Sequence, residues 1–390
     1  MAKDVHFSSD FEAAEMHRRS HGDAWAERLV ALLVAVVLGM ALVSFYNSRR
    51  IIPEELALGA AVQIKPGVWN GVPVNAHALP DYPKLYPPAP GRGGERLWLW
   101  LGNSQLHSIN QLQKDDEVAP VHASRKMEFP VFGLSVPNAS LRDHYIIGAW
   151  ALARSRPEWL IIPVVFDDLR EYDLRPGYGP ILDQATRQEL GTTEPGRLAV
   201  AEVDKEAASQ SRDAQGTSRL GFSLQDFTEK GLNEELSEHS QIWRDRDQAY
   251  AAVGNDVYRL RNWVFRIESR TKRPVIQARL DANMQALSEL LSLAQRKGVR
   301  VLVYVAPTRW DVEPPYFLDR YEAWKSMLMN VSEEHGAAYA DLDHIVPDNL
   351  WGVVAGGEVD FMHFQGPGHV ILANRILEEI TKLEEQRKLH

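Results

Sequence analysis

The stretch Leu97-Trp98-Leu99-Trp100-Leu101-Gly102-Asn103-Ser104-Gln105-Leu106-His107 decides the fold. Large apolar residues run unbroken to Gly102-Asn103-Ser104 and then give way to polar, helix-compatible ones. That pattern reads as a buried strand, a tight turn and a serine in the first turn of the next helix. A serine so placed presents its hydroxyl above a sheet edge, beside unpaired backbone N–H groups and a helix dipole. Such a place suits a nucleophile whose reaction builds negative charge on oxygen.

Working outward, a polar helix-like stretch follows Ser104, and Glu128 to Leu134 reads as a second strand. Ser135-Val136-Pro137-Asn138 leads into an apolar helix around Leu141 to Ala153. The continuous apolar run Glu158 to Phe166 marks a strand covered on both faces and ends in Asp167-Asp168-Leu169-Arg170. Helical spacing from Ile276 to Lys297 precedes a buried strand over Val299 to Val305, ending at Ala306-Pro307-Thr308. A helix near Tyr316 to Glu334, a short strand at Ala337 to Leu342 and a last helix from about His369 to Glu384 complete the pattern. Alternating strands and helices imply an α/β domain with a parallel sheet and helices on both faces. In such sheets the site lies beyond the carboxyl ends of the strands. Ser104, Asn138, Asp167, Thr308 and the loop holding Asp360 all fall at or just after those ends.

A helical insertion at about 171–275 interrupts the alternation. Within it, Val203 to Ser218 is rich in Ser, Asp, Glu, Lys and Gln and reads as a mobile surface loop. Phe222 to Ile267 reads as helical and carries Trp243, Tyr250, Tyr258 and Trp263. A lid or partner-docking surface and a helical excursion that pads the sheet are both consistent with it.

Far downstream, Asp360-Phe361-Met362-His363 places a carboxylate three residues from an imidazole, close enough on one face of a turn to orient it. Gly102-Asn103-Ser104 early and Asp360 with His363 late, on an α/β pattern, resemble the SGNH superfamily of GDSL-type hydrolases. The spelling Gly102-Asn103-Ser104-Gln105 resembles the branch with the D-alanyl transfer protein of teichoic acid biosynthesis and the alginate O-acetylation proteins. The resemblance implies a flavodoxin-like three-layer sandwich and a catalytic triad of Ser104, His363 and Asp360. It implies an oxyanion hole formed by the Ser104 N–H, a glycine such as Gly133, and an asparagine. The superfamily's Gly-x-Asn-Asp has no match, because Val165-Phe166-Asp167-Asp168 occupies its place. An ionised carboxylate cannot donate to an oxyanion, so the side-chain donor is expected from Asn138 or else only backbone donors remain. The resemblance further implies transfer of an acetyl or D-alanyl type of acyl group to an envelope polysaccharide or teichoic-like polymer. A membrane-bound O-acyltransferase is the expected partner. An envelope esterase using the same triad, and a non-catalytic assembly protein on the same fold, are the rival expectations.

The 390 residues are 45% apolar and 25% charged, a globular composition. The net charge of −10 supplies no basic footprint for nucleic acid, and the lack of cysteine excludes disulfides and thiolate metal sites. Leu29 to Ser48 carries no charge and is long enough to span a bilayer. The expected organisation is a cytoplasmic tail at 1–28, an uncleaved anchor at 29–48, a proline-rich linker at 49–95 and a catalytic domain at 96–390. That domain would lie outside the cytoplasm, in the periplasm or at the cell surface. Asp167, Thr308 and Arg309 are candidate substrate contacts, with Trp310 beside them. His107 reads as a packing or solvent residue one turn after Ser104, and His369 as the start of the last helix. Asp341, Asp343 and His344 end a strand without further ligands, so neither a metal nor a cofactor is expected.

Overall fold

Trp98 and Trp100 project to one side of their strand and Leu99 and Leu101 to the other, and each pair is buried in its own apolar cluster. A strand covered on both faces needs a helical layer above and below it. The computed structural model supplies both. It describes residues 67–68, 74–76, 79–86, 96–127, 129–216, 271–353 and 359–389, with isolated positions 31, 34 and 38. The expected tail, all of the anchor but those three positions, most of the linker and the tryptophans and tyrosines of 222–267 lie outside the described residues. No helix among the described residues is long and apolar enough to cross a membrane.

The main sheet comprises β1 (Asn75–Ala76), β2 (Trp98–Gly102), β3 (Val131–Ser135), β4 (Trp159–Val164), β5 (Arg300–Val305) and β6 (Ala338–Asp341). Its order is β1-β3-β2-β4-β5-β6, and every pairing is parallel. From β2 onward this is the doubly wound order of flavodoxin-like folds, whose strand order reverses between β2 and β4. Gly102 pairs with Ser135 and Trp100 with Ile161, so the ends of these strands share one edge.

One outer layer holds α3 (Leu141–Arg154), α6 (Gln277–Lys297) and α7 (Leu318–Glu334), packed on Leu99, Leu101, Phe132, Leu160 and Ile162. The other holds α2 (Ala119–Met127) and α8 (Gly366–Lys388), packed on Trp98, Trp100, Ile161, Leu302 and Tyr304. Between Ser104 and α2 there is only one helical turn, α1 (Ser104–His107), where a longer polar helix was expected. Its capping carbonyls are met at once by the Ser108 N–H on Ser104, and the chain then turns away.

Two further elements depart from expectation. The segment read as a mobile loop is the second half of α5 (Glu194–Gly216), which follows α4 (Gln184–Gly191). Its Ala, Glu, Lys and Gln residues are good helix formers, and Leu190, Ala199 and Val203 are buried against the core that contains α3 and α6. Asp360 and His363 lie on a strand, β8 (Val359–Phe364), which pairs antiparallel with β7 (Trp351–Val353) outside the main sheet.

Candidate active site

Ser104 follows β2 directly. Asn103 is the N-cap of its turn: the side-chain oxygen accepts from the Gln105 N–H at 3.0 Å. Gln105 is buried, and its side-chain amide donates to the Pro307 carbonyl at 2.8 Å and the Met362 carbonyl at 2.9 Å. One residue beside the serine thus fastens both the loop after β5 and strand β8 to the end of β2.

Residues three apart on a strand would ordinarily face opposite ways. Here the Asp360 carboxylate bends the strand by accepting from the Met362 and His363 backbone N–H groups at 2.8 and 3.0 Å. The same carboxylate lies 3.0 and 3.2 Å from His363 Nδ1 and accepts from Asn110 Nδ2 at 2.9 Å. Burial pushes the Asp360 carboxyl up, but the donors of His363 and Met362 outweigh it and hold the group below the usual carboxylate range. An ionised carboxylate only accepts, so in the neutral imidazole the proton sits on Nδ1 and Nε2 keeps its lone pair. Nε2 is buried and makes no hydrogen bond within the described residues. Ser104 and His363 are each 9% exposed, open enough to be reached and enclosed enough to exclude bulk water.

Asn110 is the part of this arrangement that the sequence did not disclose. It is buried, bridges Asp360 and the Val353 carbonyl, and its own N–H donates to Phe364 at 3.0 Å. Gly352 makes room for it, since a Cβ there would lie 1.9 Å from the Asn110 side chain. No local pattern marks it, because Asn110 and Asp360 lie 250 residues apart and meet through the docking of β8.

The oxyanion candidates divide. The Ser104 N–H starts a helical turn, where N–H groups have no intrahelical partner. Gly133 is corrected: it lies within β3, its N–H donates to the Val74 carbonyl of the neighbouring segment at 3.1 Å, and a Cβ there would meet Asn75. Asn138 sits at φ 55° in the exposed turn after β3, a conformation asparagine tolerates, and no hydrogen bond within the described residues ties it to the serine turn.

The weaker substrate candidates are engaged elsewhere. Asp167 pairs with Arg170 and Arg273. Thr308 is buried and donates its N–H to Asp343 at 2.9 Å. Arg309 grips Asp311 with two nitrogens at 2.6 and 2.8 Å and donates to the Gly352 carbonyl at 3.0 Å. Trp310 stacks on His344. These groups brace the loops around the site. Lys325 bridges Asp341 and Asp343, and no cluster of metal-ligating side chains occurs among the described residues.

His107 is half-buried, with Nδ1 3.4 Å from Ser135 Oγ. Burial pushes its imidazole down. His369 is fully buried near the start of α8 and accepts the Ala119 N–H at 3.3 Å.

No family model matches this chain, and neither does any curated protein. Among solved structures it is similar to a presumed acylhydrolase from Bacteroides fragilis NCTC 9343, at 9% identity and a TM-score of 0.35. The match covers 76% of this chain and 91% of that one. A likeness of that degree carries no weight on activity.

Proposed function

We propose that this protein is a serine-dependent acyl-transfer enzyme in which Ser104 is the nucleophile, His363 the general base and Asp360 its orienting carboxylate. The observation that carries the reading is His363 itself. Its Nδ1 is clamped by a buried carboxylate and its Nε2 has no hydrogen-bond partner among the described residues, on a strand stitched to the serine turn. In the reaction Ser104 Oγ attacks an acyl carbonyl while its proton passes to His363 Nε2. Collapse of the tetrahedral intermediate expels the leaving group, which takes that proton. A second hydroxyl, from water or from a sugar or polyol, then receives the acyl group by the reverse sequence.

Within this reading the acceptor is a cell-envelope glycan or teichoic-like polymer, and the enzyme works outside the cytoplasmic membrane with a membrane-bound O-acyltransferase as acyl supplier. Support comes from the resemblance of Gly102-Asn103-Ser104-Gln105 and from the charge-free run 29–48. An anchor would raise the effective concentration of the domain near such a partner. The same machinery with water as acceptor is an envelope esterase.

The test uses the full chain in detergent with p-nitrophenyl acetate. Wild type is expected to turn over and to trap an acetyl group on Ser104 by intact mass and peptide mapping. Ser104→Ala and His363→Ala are expected to lose both turnover and trapping. Retained turnover in Ser104→Ala would sink the reading. Adding an acceptor polyol separates transferase from esterase, because only a transferase partitions the acyl group to it well above its share of hydroxyls.

A further inference from the structure

The serine turn has a second carboxyl neighbour that the triad does not use. Asp168 lies just beyond the end of β4, the sheet neighbour of β2 at the point where the strand order reverses. It is half-buried. One of its oxygens, Oδ2, accepts from the Asn103 side-chain amide, and the other end of that amide caps the turn that begins with Ser104. Asp168 is therefore one side chain removed from the nucleophile.

Its surroundings are wrong for an anion. No Lys or Arg pairs with it among the described residues, because Arg170 and Arg273 both go to Asp167. The titratable groups near enough to act on it electrostatically are Asp167 and Glu171 from its own turn, Asp143 from α3, and the buried Tyr316 hydroxyl from the segment before α7. Asp143 is saturated by donors from Ser140, Arg175 and Tyr178. Burial pushes the Asp168 carboxyl well above its ordinary range; the Asn103 amide opposes this, and the three neighbouring carboxylates add to it.

Resting on the assignment of Ser104 as nucleophile, we propose that Asp168 works as a neutral carboxylic acid whose Oδ1–H donates to the oxyanion formed above Ser104. With Oδ2 taken by the Asn103 N–H, Oδ2 is the acceptor oxygen and Oδ1 carries the proton. As Ser104 Oγ bonds to the acyl carbon, the carbonyl electron pair moves to oxygen and the Ser104 proton goes to His363. The Asp168 proton stays on Asp168 and is only shared. The donor missing from Gly133, whose N–H is spent inside the sheet, is thereby replaced. The same residue sets a pH limit, since ionised Asp168 has no proton to share and repels the oxyanion.

The decisive experiment is the pH–rate profile of the full chain in detergent with p-nitrophenyl acetate, for wild type, Asp168→Asn and Asp168→Ala. An asparagine can accept from Asn103 and still donate, but it does not titrate. Wild-type activity is expected to fall on the alkaline side, and Asp168→Asn to stay within about tenfold of wild type while losing that fall. Asp168→Ala is expected to drop about 100-fold or more at every pH, the usual cost of one oxyanion donor. A carboxylate that merely held Asn103 in place would accept more strongly once ionised, so a structural role gives no alkaline fall. A flat wild-type profile, an alkaline fall that survives in Asp168→Asn, or full activity in Asp168→Ala would each overturn the proposal. Acetyl trapping on Ser104 separates the two levels: trapping with an unaltered profile rejects Asp168 alone, whereas no trapping rejects the serine mechanism and this proposal together.

Discussion

At the scale of single residues, the site depends on how firmly Asp360 is held. Its carboxylate collects donors from two backbone amides, one imidazole and Asn110. Asn110→Ala removes a hydrogen bond to a charged group, an interaction worth about 1.5–3 kcal/mol. The expected outcome is a fall in kcat of about 10- to 100-fold with KM nearly unchanged, read from steady-state kinetics on an activated acetyl ester. Within the proposed triad Asn110 reaches the orienting carboxylate, and its other bonds go to backbone carbonyls of Val353 and Phe364, so a rise in KM instead would place it in substrate binding. Gly352→Ala tests the same contact from the other side. Its methyl group would collide with the Asn110 side chain, and the variant is expected to lose activity in parallel with Asn110→Ala.

At the scale of elements, the buried Asn283 of α6 ties its helix to α3 and to the turn after β4. Its Oδ1 accepts from the Leu141 and Arg142 N–H groups at 3.0 and 3.4 Å, capping α3 from outside the helix. Its Nδ2 donates to the Leu169 and Glu171 carbonyls at 3.4 and 2.8 Å, and so holds the turn that carries Asp168. Asn283→Ala leaves these groups unpaired in the interior, and a loss of about 2–4 kcal/mol is expected in urea unfolding. The reach of sequence reasoning divides along the same lines. Strands β2, β4 and β5 were legible because strands buried on both faces are continuously apolar, and α6 because its apolar spacing is long and regular. Strand β8 was hidden because the order Asp360, Phe361, Met362, His363 breaks strand alternation, and because a local carboxylate bend mimics a turn. Gly133 already falls inside the strand read over Glu128 to Leu134; what the sequence hides is that the neighbouring segment takes up its N–H through the Val74 carbonyl. The polar half of α5 resembles a surface loop in composition, and its helicity is a matter of propensity rather than pattern.

At the scale of the whole molecule, buried titratable groups pinch stability from both sides of neutral pH. Burial holds the imidazoles of His144 and His369 down, to about 4 and about 3. Unfolded histidines take up a proton near pH 6.5, so this contribution is complete above that value and is lost as pH falls toward the folded values. Neither His144 ring nitrogen meets a full hydrogen bond among the described residues, and the Gly102 backbone offsets its burial only in part. His144→Leu is therefore expected to flatten the decline of Tm between pH 7 and 4.5, measured by calorimetry. Asp168 has the opposite sign. Its raised value means stability that is complete below the unfolded carboxyl pKa of about 3.9 and is lost as pH rises through the folded one. Asp168→Asn is expected to be more heat-stable than wild type at pH 8, and a lower Tm there would contradict this reading of its surroundings.

The stitches from Gln105 and Asn110 to strands β7 and β8 join residues 243, 250 and 257 positions apart. Contacts of such span are the last to form, because the chain between them must be organised before closing the loop costs less than it returns. A growing chain thus carries Ser104 and its strand long before His363 exists. Until then the proposed nucleophile has no base. Regain of activity on refolding should accordingly lag behind recovery of helical and sheet signal, making chemical competence a timestamp of completed folding.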